Sequence, residues 1–297
     1  MIRYTTVVFC IWLLAGCVAA PVMPGAQPFT SPLAQRQYLP TALADWFSGR
    51  EISSKKGVSL ACGGGAAQAR EVQQLRVSWI WNWGTDPPLF PGIESVPAVW
   101  DAARIGKPLG GNSAWVLGFN EPDVSNQARM TPEAAAVAWR QLEATYPDRK
   151  LTSPQVVEPG NWLERWHTAY IELYGQPPRL DALAVHTYYG NTADAYITQV
   201  QHYIALAQAW DIPEVWVPEW ALSHGLDRTL RDTLAEMTAY VTWLEAENMV
   251  TRYAAWTNRV ECMDGAFGFT YDSFADTPLV AHDGRLTPLG RTYQALP

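Results

Sequence analysis

Two segments of the chain place a glutamate directly after an apolar run of strand length. In Trp115–Pro122 the run ends in Asn120-Glu121-Pro122, and the proline stops the strand because it cannot donate to a sheet ladder. In Glu214–Trp220 a second run ends in Glu219. A carboxylate at the carboxyl end of a buried parallel strand stands where β/α barrels hold their catalytic groups. The two glutamates predict a carboxylate pair directed at a glycosidic bond, and Glu158, near another strand end, is a weaker candidate.

Polar and aromatic side chains near other strand ends are candidates for binding a sugar. Asn120 can hydrogen-bond a sugar 2-hydroxyl or simply cap a turn, and His186 is either a structural strand residue or a donor to a sugar or to the nucleophile. The side chains that would line a glycan cleft are Trp81, Asn82, Trp83, Tyr188, Trp220 and Trp256. Alternation puts Trp81 and Trp83 on one face of their strand and Asn82 on the other, and leaves open which face lines the cleft.

Eight apolar runs separated by helical patterns must position these residues. The predicted strands are 57–61, 76–81, 94–99, 114–119, 151–157, 182–188, 215–219 and 252–256. The predicted helices are Thr131–Tyr146, Asn161–Tyr174, Thr192–Trp210, Arg228–Asn248 and Thr287–Ala295. Strand followed by helix, repeated over about 250 residues, predicts an α/β fold with a single (β/α)8 TIM barrel over residues 45–297. Glu121 and Glu219 then end strands four and seven, which approach each other across the barrel mouth.

The first residues resemble an export signal. Arg3 precedes the apolar core Val7–Leu14, which is far shorter than the ~20 residues that span a bilayer. The tetrapeptide Leu14-Ala15-Gly16-Cys17 resembles a bacterial lipobox, although an ordinary signal peptide that contains cysteine is the alternative. We expect residues 1–16 to be a lipoprotein signal peptide, Cys17 to be lipidated, and the proline-rich residues 17–44 to form a tether. The expected location is the bacterial cell envelope, with membrane contact only through this anchor.

Composition narrows the class of partner. The 29 acidic residues exceed the 21 basic ones and no basic patch is present, which argues against nucleic acid. Fifteen tryptophans favour a polysaccharide or oligosaccharide, because flat aromatic faces suit sugar rings. No metal-ligand motif is found, so we expect neither a metal nor a cofactor. We expect a monomer.

Two of the four cysteines lie in the predicted domain. Cys62 would end the first strand and Cys262 would follow the last one. These strands are neighbours in a closed barrel, and disulfides persist in exported proteins. We therefore predict a Cys62–Cys262 disulfide.

Several segments of the chain resemble glycoside hydrolase family 128 across most of residues 57–293. They are Trp81-Asn82-Trp83, Ser95–Trp100, Leu117–Asp123, Ser153-Pro154, His186-Thr187-Tyr188, Trp216–Trp220 and Leu286–Gly290. The resemblance implies a retaining clan-A β/α barrel that acts mainly on β-1,3-glucan. It also implies that Glu121 is the general acid/base and Glu219 the nucleophile. The chain departs from the family at Pro218, where threonine is common, and at Thr187, where an aromatic residue is common.

The expected function is therefore that of a retaining glycoside hydrolase that cleaves β-glucan, with the β-1,3 linkage as the main hypothesis. One alternative is a non-catalytic glycan-binding barrel on the cell surface, which would tolerate widely separated carboxylates. A second alternative is a clan-A hydrolase acting on another β-linked glycan. The lost aromatic at Thr187 bears on sugar binding more than on the chemistry.

Overall fold

The computed structural model describes residues 51–157, 160–223, 228–263 and 276–297. The predicted signal peptide, Cys17, the tether and Glu158 lie outside these residues. The described strands are β1 (Lys56–Ser59), β2 (Trp79–Trp81), β3 (Glu94–Ser95), β4 (Trp115–Val116), β5 (Lys150–Leu151), β6 (Leu183–Thr187), β7 (Val215–Trp220) and β8 (Val250–Ala255). The described α-helices are α1 (Gly65–Leu75), α2 (Pro132–Thr145), α3 (Trp162–Tyr174), α4 (Ala193–Ala209), α5 (Leu230–Ala246) and α6 (Pro288–Ala295). No helix among the described residues is long and apolar enough to cross a membrane.

The strands form parallel sheets. Six of them are ordered β3-β2-β1-β8-β7-β6, and β4 pairs with β5 in a separate two-stranded sheet. Single parallel bridges lie between the two sheets, from Ala98 to Leu117 on one side and from Val156 to Val185 on the other. The pairings and these bridges are all parallel, so the structure is an α/β fold in which the carboxyl ends of all eight strands point the same way.

The predicted helices are present, and their starts follow the expected capping chemistry. Thr131 caps α2 by accepting a hydrogen bond from the Ala134 amide (3.2 Å), with Pro132 in the first turn. The expectation of a helix after every strand is wrong for β2 and β3. Residues 82–93 contain no helix, and only the three-residue 3-10 helix Ala102–Arg104 separates β3 from β4. Prolines 87, 88 and 91 explain the first case, because proline removes helix hydrogen bonds.

Alternation along the strands divides the apolar side chains into two layers. Trp79 and Trp81 pack in one cluster with Trp115 and Trp216, and the last two rings lie 4.6 Å apart between centroids. Ile80 faces the opposite way, into the larger cluster formed with the helices. The tryptophan face of β2 is therefore the one that leads to the candidate site, which answers the question that the sequence leaves open.

Candidate active site

Glu219 is held in a strand whose pairing with β8 shifts register between Val217 and Trp220. It is the fifth residue of the six-residue β7, which pairs with β6 on one side and with β8 on the other. In the register with β6, Glu219 lies opposite His186. The strand therefore fixes the height and direction of this carboxylate before any side-chain contact is made.

Glu121 lies five residues beyond the end of β4, and its backbone has a left-handed φ of 44°. This region is unfavourable for residues with a Cβ and costs about 1–3 kcal/mol, so the surroundings must impose it. The Glu121 amide donates to the Gln155 carbonyl (2.8 Å). Gly118 permits the close approach of the two segments, because a Cβ there would lie 2.5 Å from the Ser153 carbonyl oxygen.

The two carboxylates meet at a buried histidine. Nδ1 of His186 lies 2.7 Å from Oε1 of Glu121 and 3.9 Å from Oε1 of Glu219. One oxygen from each carboxylate lies within 4.8 Å of the other. Retaining glycosidases hold their carboxyl groups about 5–5.5 Å apart, whereas inverting enzymes need about 6.5–9.5 Å. The spacing is closer to that of a retaining pair than to that of an inverting pair.

Glu219 receives two hydrogen bonds from side chains. The Tyr188 hydroxyl donates to Oε1 (2.6 Å) and the Trp83 indole donates to Oε2 (2.8 Å). Burial raises the pKa of Glu219 to about 7, and the neighbouring Glu121 acts in the same direction, while His186 and the two donors oppose the rise. Burial and the two carboxylates also raise the pKa of Tyr188 well above its usual value, so its hydroxyl remains a donor. Burial thus disfavours the charged form of Glu219, and the two donors act against that cost.

His186 has no exposed surface. Burial lowers the pKa of its imidazole, although Glu219 and Asp123 act in the opposite direction. Its second ring nitrogen, Nε2, lies 3.2 Å from Oε1 of Gln155. The ring therefore contacts the acid/base candidate on one side and a buried amide on the other.

The two asparagines of the predicted set have different surroundings. Asn120 is almost fully buried, its Nδ2 donates weakly to Gln127 (3.4 Å), and its Oδ1 has no hydrogen-bond partner among the described residues. Asn82 accepts a hydrogen bond from the Gly84 amide (3.2 Å) in a local turn. Of the two side-chain oxygens, that of Asn120 is therefore the unpartnered one within the described part of the chain, although it is buried.

The predicted aromatic wall is only partly assembled. Trp83 and Trp256 pack with Tyr188 around the carboxylates, in a cluster that includes Ala221 and Val260. Trp81 is fully buried beneath them, where its indole donates to the Pro218 carbonyl (2.8 Å), so it supports the site from within.

The prediction that Trp220 lines the cleft is wrong. Its ring is fully buried against Tyr240 of α5 and Tyr293 of α6, at centroid distances of 5.3 and 5.9 Å. Simple alternation from the inward-facing Trp216 would place Trp220 on the inner face, but the pairing with β8 shifts register between Val217 and Trp220. This irregularity accompanies the turn of Glu219 toward the site and of Trp220 toward the helices.

Cysteines 62 and 262 are joined by a disulfide that closes a loop across 200 residues, as predicted from the sequence.

Glu121, His186 and Glu219 each offer one atom that a metal ion could use, all within 4.8 Å of one another. The same geometry suits an acid/base and nucleophile pair, so the cluster alone does not decide between a metal and a glycosidase site.

Sequence reasoning missed Gln155 and Asp123. Gln155 is fully buried and contacts both the backbone of Glu121 and the ring of His186. Asp123 accepts a hydrogen bond from the Val157 amide (3.0 Å) and so ties the Glu121 loop to the chain beyond β5. The available signal was a lone amide within the apolar run Leu151–Val157, directly after Ser153-Pro154.

Comparison with known proteins relates this geometry to one family. The profile described as glycosyl hydrolase catalytic core matches residues 59–293. A curated relative, alkali-sensitive linkage protein 1 of Schizosaccharomyces pombe, is 25% identical over 257 residues, which is 82% of this chain and 44% of that protein. The chain thus spans less than half the length of this relative, which is fungal. Nothing in these likenesses supports a bacterial lipoprotein anchor, which stays a prediction.

Three solved structures of glycoside hydrolase family 128 are similar to the chain. They are a curdlan-specific exo-β-1,3-glucanase from Blastomyces gilchristii (27% identical, TM-score 0.62), and endo-β-1,3-glucanases from Amycolatopsis mediterranei (25%, 0.63) and Pseudomonas viridiflava (28%, 0.63). Each likeness covers 82% of this chain and 98–99% of the other. The first was solved with glucose bound and the second with laminaritriose.

Proposed function

Because the chain belongs to the glycosyl hydrolase catalytic core family, whose profile matches residues 59–293, we propose that it is a retaining glycoside hydrolase that cleaves β-1,3-linked glucan. The observation that carries this proposal is the approach of the Glu121 and Glu219 carboxylates to within 4.8 Å at the strand ends. The three similar structures, all named β-1,3-glucanases, support the linkage.

The proposed mechanism has two steps, glycosylation of Glu219 and hydrolysis of the glycosyl-enzyme. First, an oxygen of Glu219 bonds to the anomeric carbon while the glycosidic bond breaks, and the proton of Glu121 passes to the departing oxygen. A water molecule then attacks the same carbon, the bond to Glu219 breaks, and Glu121 takes the water proton. The donors Tyr188 and Trp83 hold Glu219 as a carboxylate in the attacking geometry.

Sugar binding is assigned to the residues around this pair. Trp83, Tyr188 and Trp256 would contact sugar rings, and Asn120 would accept from the 2-hydroxyl next to the reacting carbon. Asn82 would contribute from the same loop as Trp83, and His186 would act on Glu121. We propose no sugar contact for the buried Trp81 and Trp220.

We also propose that the eight strands close into a (β/α)8 barrel within one domain, residues 45–297. The parallel bridges Ala98–Leu117 and Val156–Val185 support this, because they connect the two sheets at both edges.

We further propose that the protein is exported and lipidated at Cys17, with residues 17–44 as a tether. We also propose that it is a monomer. Incorporation of labelled fatty acid into the full chain, and its loss in Cys17→Ser, would test the anchor.

The test of function uses the full chain on β-1,3-, β-1,4- and mixed-linkage glucans. We expect sugar release from the β-1,3 polymer, a first product in the β configuration by NMR, and no change on adding a chelator. A product of inverted configuration would exclude retention. Activity confined to another linkage would favour the second hydrolase alternative, and binding without release would favour the glycan-binding barrel. Loss of activity with chelator would assign the carboxylate–histidine cluster to a metal.

A further inference from the structure

Gln155 contacts the acid/base from two directions. Its backbone carbonyl accepts from the Glu121 amide (2.8 Å), and its side chain reaches the ring of His186, which in turn contacts the Glu121 carboxyl. All three side chains are buried, and Gln155 and His186 have no exposed surface. Such a placement next to a reacting group is costly unless each polar atom is satisfied.

The orientation of the Gln155 amide is fixed by its second contact. One end lies 2.9 Å from the Gly118 carbonyl oxygen, and a carbonyl can only accept, so this end must be the NH₂ group. The end that faces Nε2 of His186 is then the carbonyl oxygen, which can only accept as well. Nε2 of the histidine must therefore carry a hydrogen.

The remaining ring nitrogen determines the state of Glu121. In a neutral imidazole with hydrogen on Nε2, Nδ1 has a lone pair and can only accept. Its contact with Oε1 of Glu121 at 2.7 Å is a hydrogen bond only if the glutamate supplies the proton. Burial disfavours the charged imidazolium, in which Nδ1 would donate instead.

We propose that Gln155 is a positioning residue that holds His186 in the Nε2–H tautomer and thereby keeps the catalytic proton on Glu121. The inference rests on the proposed function in naming Glu121 the acid/base. The other titratable groups that face the ring and Glu121 are Glu219 on β7, Tyr188 after β6 and Asp123 in the Glu121 loop. Two of these are carboxylates and favour an imidazolium. The amide excludes the neutral Nδ1–H tautomer, and burial of the ring opposes the imidazolium, so that together they leave Nδ1 as an acceptor.

The arrangement serves both reaction steps. Before glycosylation, the lone pair of Nδ1 retains the proton that the leaving group needs. After glycosylation, the same lone pair faces the new carboxylate of Glu121 and disfavours it, which promotes uptake of the water proton. Gln155 makes no contact with sugar in this account, so its effect falls on kcat rather than KM.

The direct test is NMR of the full chain with ¹⁵N-labelled histidine near pH 7. The chain has five histidines, and substitution of the other four one at a time leaves the His186 signals by elimination. We expect Nε2 protonated and Nδ1 unprotonated. A proton on Nδ1, alone or together with Nε2, overturns the inference. This reading does not require activity, so it remains informative even if β-1,3-glucan is not the substrate.

The kinetic test compares Gln155→Met with Gln199→Met. Gln199 donates to the backbone carbonyl of His186 (3.2 Å) and leaves the ring alone, so it is the matched control. In Gln155→Met the ring can turn to the Nδ1–H tautomer, and we expect kcat to fall on the order of tenfold, short of the roughly 10²–10⁴-fold that a proton donor itself contributes. The alkaline limb of the pH profile should move to lower pH by about one unit. The reason is that losing one hydrogen bond to the protonated Glu121 lowers its pKa by about that amount. An unshifted limb in Gln155→Met, or an equal shift in Gln199→Met, contradicts the proposal.

Discussion

The two carboxylates are held by opposite means. Glu219 sits in a strand paired on both sides, and its neighbours Tyr188 and Trp83 both donate hydrogen bonds to it. Glu121 lies beyond a two-residue strand in a left-handed conformation, and its close contact is with the imidazole of His186. Donors stabilise an anion, whereas a ring that accepts stabilises a proton. The fold therefore assigns different roles to two chemically identical side chains through the groups around them.

Glu219→Gln and Glu121→Gln test the pair and carry the largest expected effect. Glu121→Gln should lower kcat/KM on β-1,3-glucan by about 10²–10⁴-fold, because it removes the proton donor, and Glu219→Gln should lower it by at least as much, because it removes the nucleophile. They should differ on an aryl glycoside with a good leaving group, where Glu121→Gln keeps its first step and Glu219→Gln does not. Initial rates and burst kinetics on both substrates measure this difference.

Glu214→Gln is the matched control, since Glu214 directly precedes β7 and accepts from the Trp216 indole rather than facing the site. Its kcat/KM should match the parent chain. Equal losses of Glu219→Gln and Glu121→Gln on the aryl glycoside would remove the distinction between nucleophile and acid.

Tyr188→Phe tests whether donors maintain the charge of Glu219. Loss of a hydrogen bond to a charged group should lower kcat/KM by about 10- to 100-fold. Because the donor lowers the pKa of Glu219, its removal should move the acid limb of the pH profile, set by ionisation of Glu219, to higher pH. Tyr196→Phe removes a buried hydroxyl that donates to the Ala221 carbonyl (2.6 Å) and should leave that limb unchanged. A limb that stays in place in Tyr188→Phe would show that the tyrosine does not tune the nucleophile.

Glu219→Gln also tests the cost of the buried charge. Burial raises the pKa of Glu219 from 4.5 to about 7, so the folded state binds this proton more tightly than the unfolded chain does. Stability should therefore fall as pH rises from 4.5 to 7 and remain lower above it. Relative to the parent chain, Glu219→Gln should gain about 1–2 kcal/mol in unfolding free energy at pH 8 and little at pH 4.5. Denaturant titrations at both pH values measure this, and an equal difference at both would contradict it.

Much of the fold follows from the sequence because its signals are local. The apolar run before Glu219 and the Thr131-Pro132 start of α2 correspond to elements that the structure contains. The segment between β2 and β3 departs from the eightfold repeat, because Pro87 and Pro88 prevent a helix there. In this segment the local proline signal outweighs the global pattern.

The site was predictable where a residue ends a strand and less so where partners come from distant segments. Glu121 and Glu219 are marked by the apolar runs that precede them. Gln155 acquires its role only when the β4 and β5 segments meet at Gly118, 37 residues away in sequence. No spacing in the sequence encodes that contact, because it depends on how two strands are paired.

Substitutions of Trp220 and Trp256 have the smallest expected effects on activity. They compare a side chain that faces the helices with one that faces the carboxylate site. Trp220→Phe should leave kcat/KM unchanged, because the ring packs on Tyr240 and Tyr293 away from Glu219. Its stability cost should be only about 1 kcal/mol. The loss of ring contacts destabilises the fold, but the change also removes a buried indole nitrogen that has no partner among the described residues, which offsets part of the loss. Trp256→Phe, in the cluster with Trp83 and Tyr188, should instead raise KM for laminari-oligosaccharides a few-fold. If Trp220→Phe raised KM and Trp256→Phe did not, the assignment of faces along β7 and β8 would be reversed.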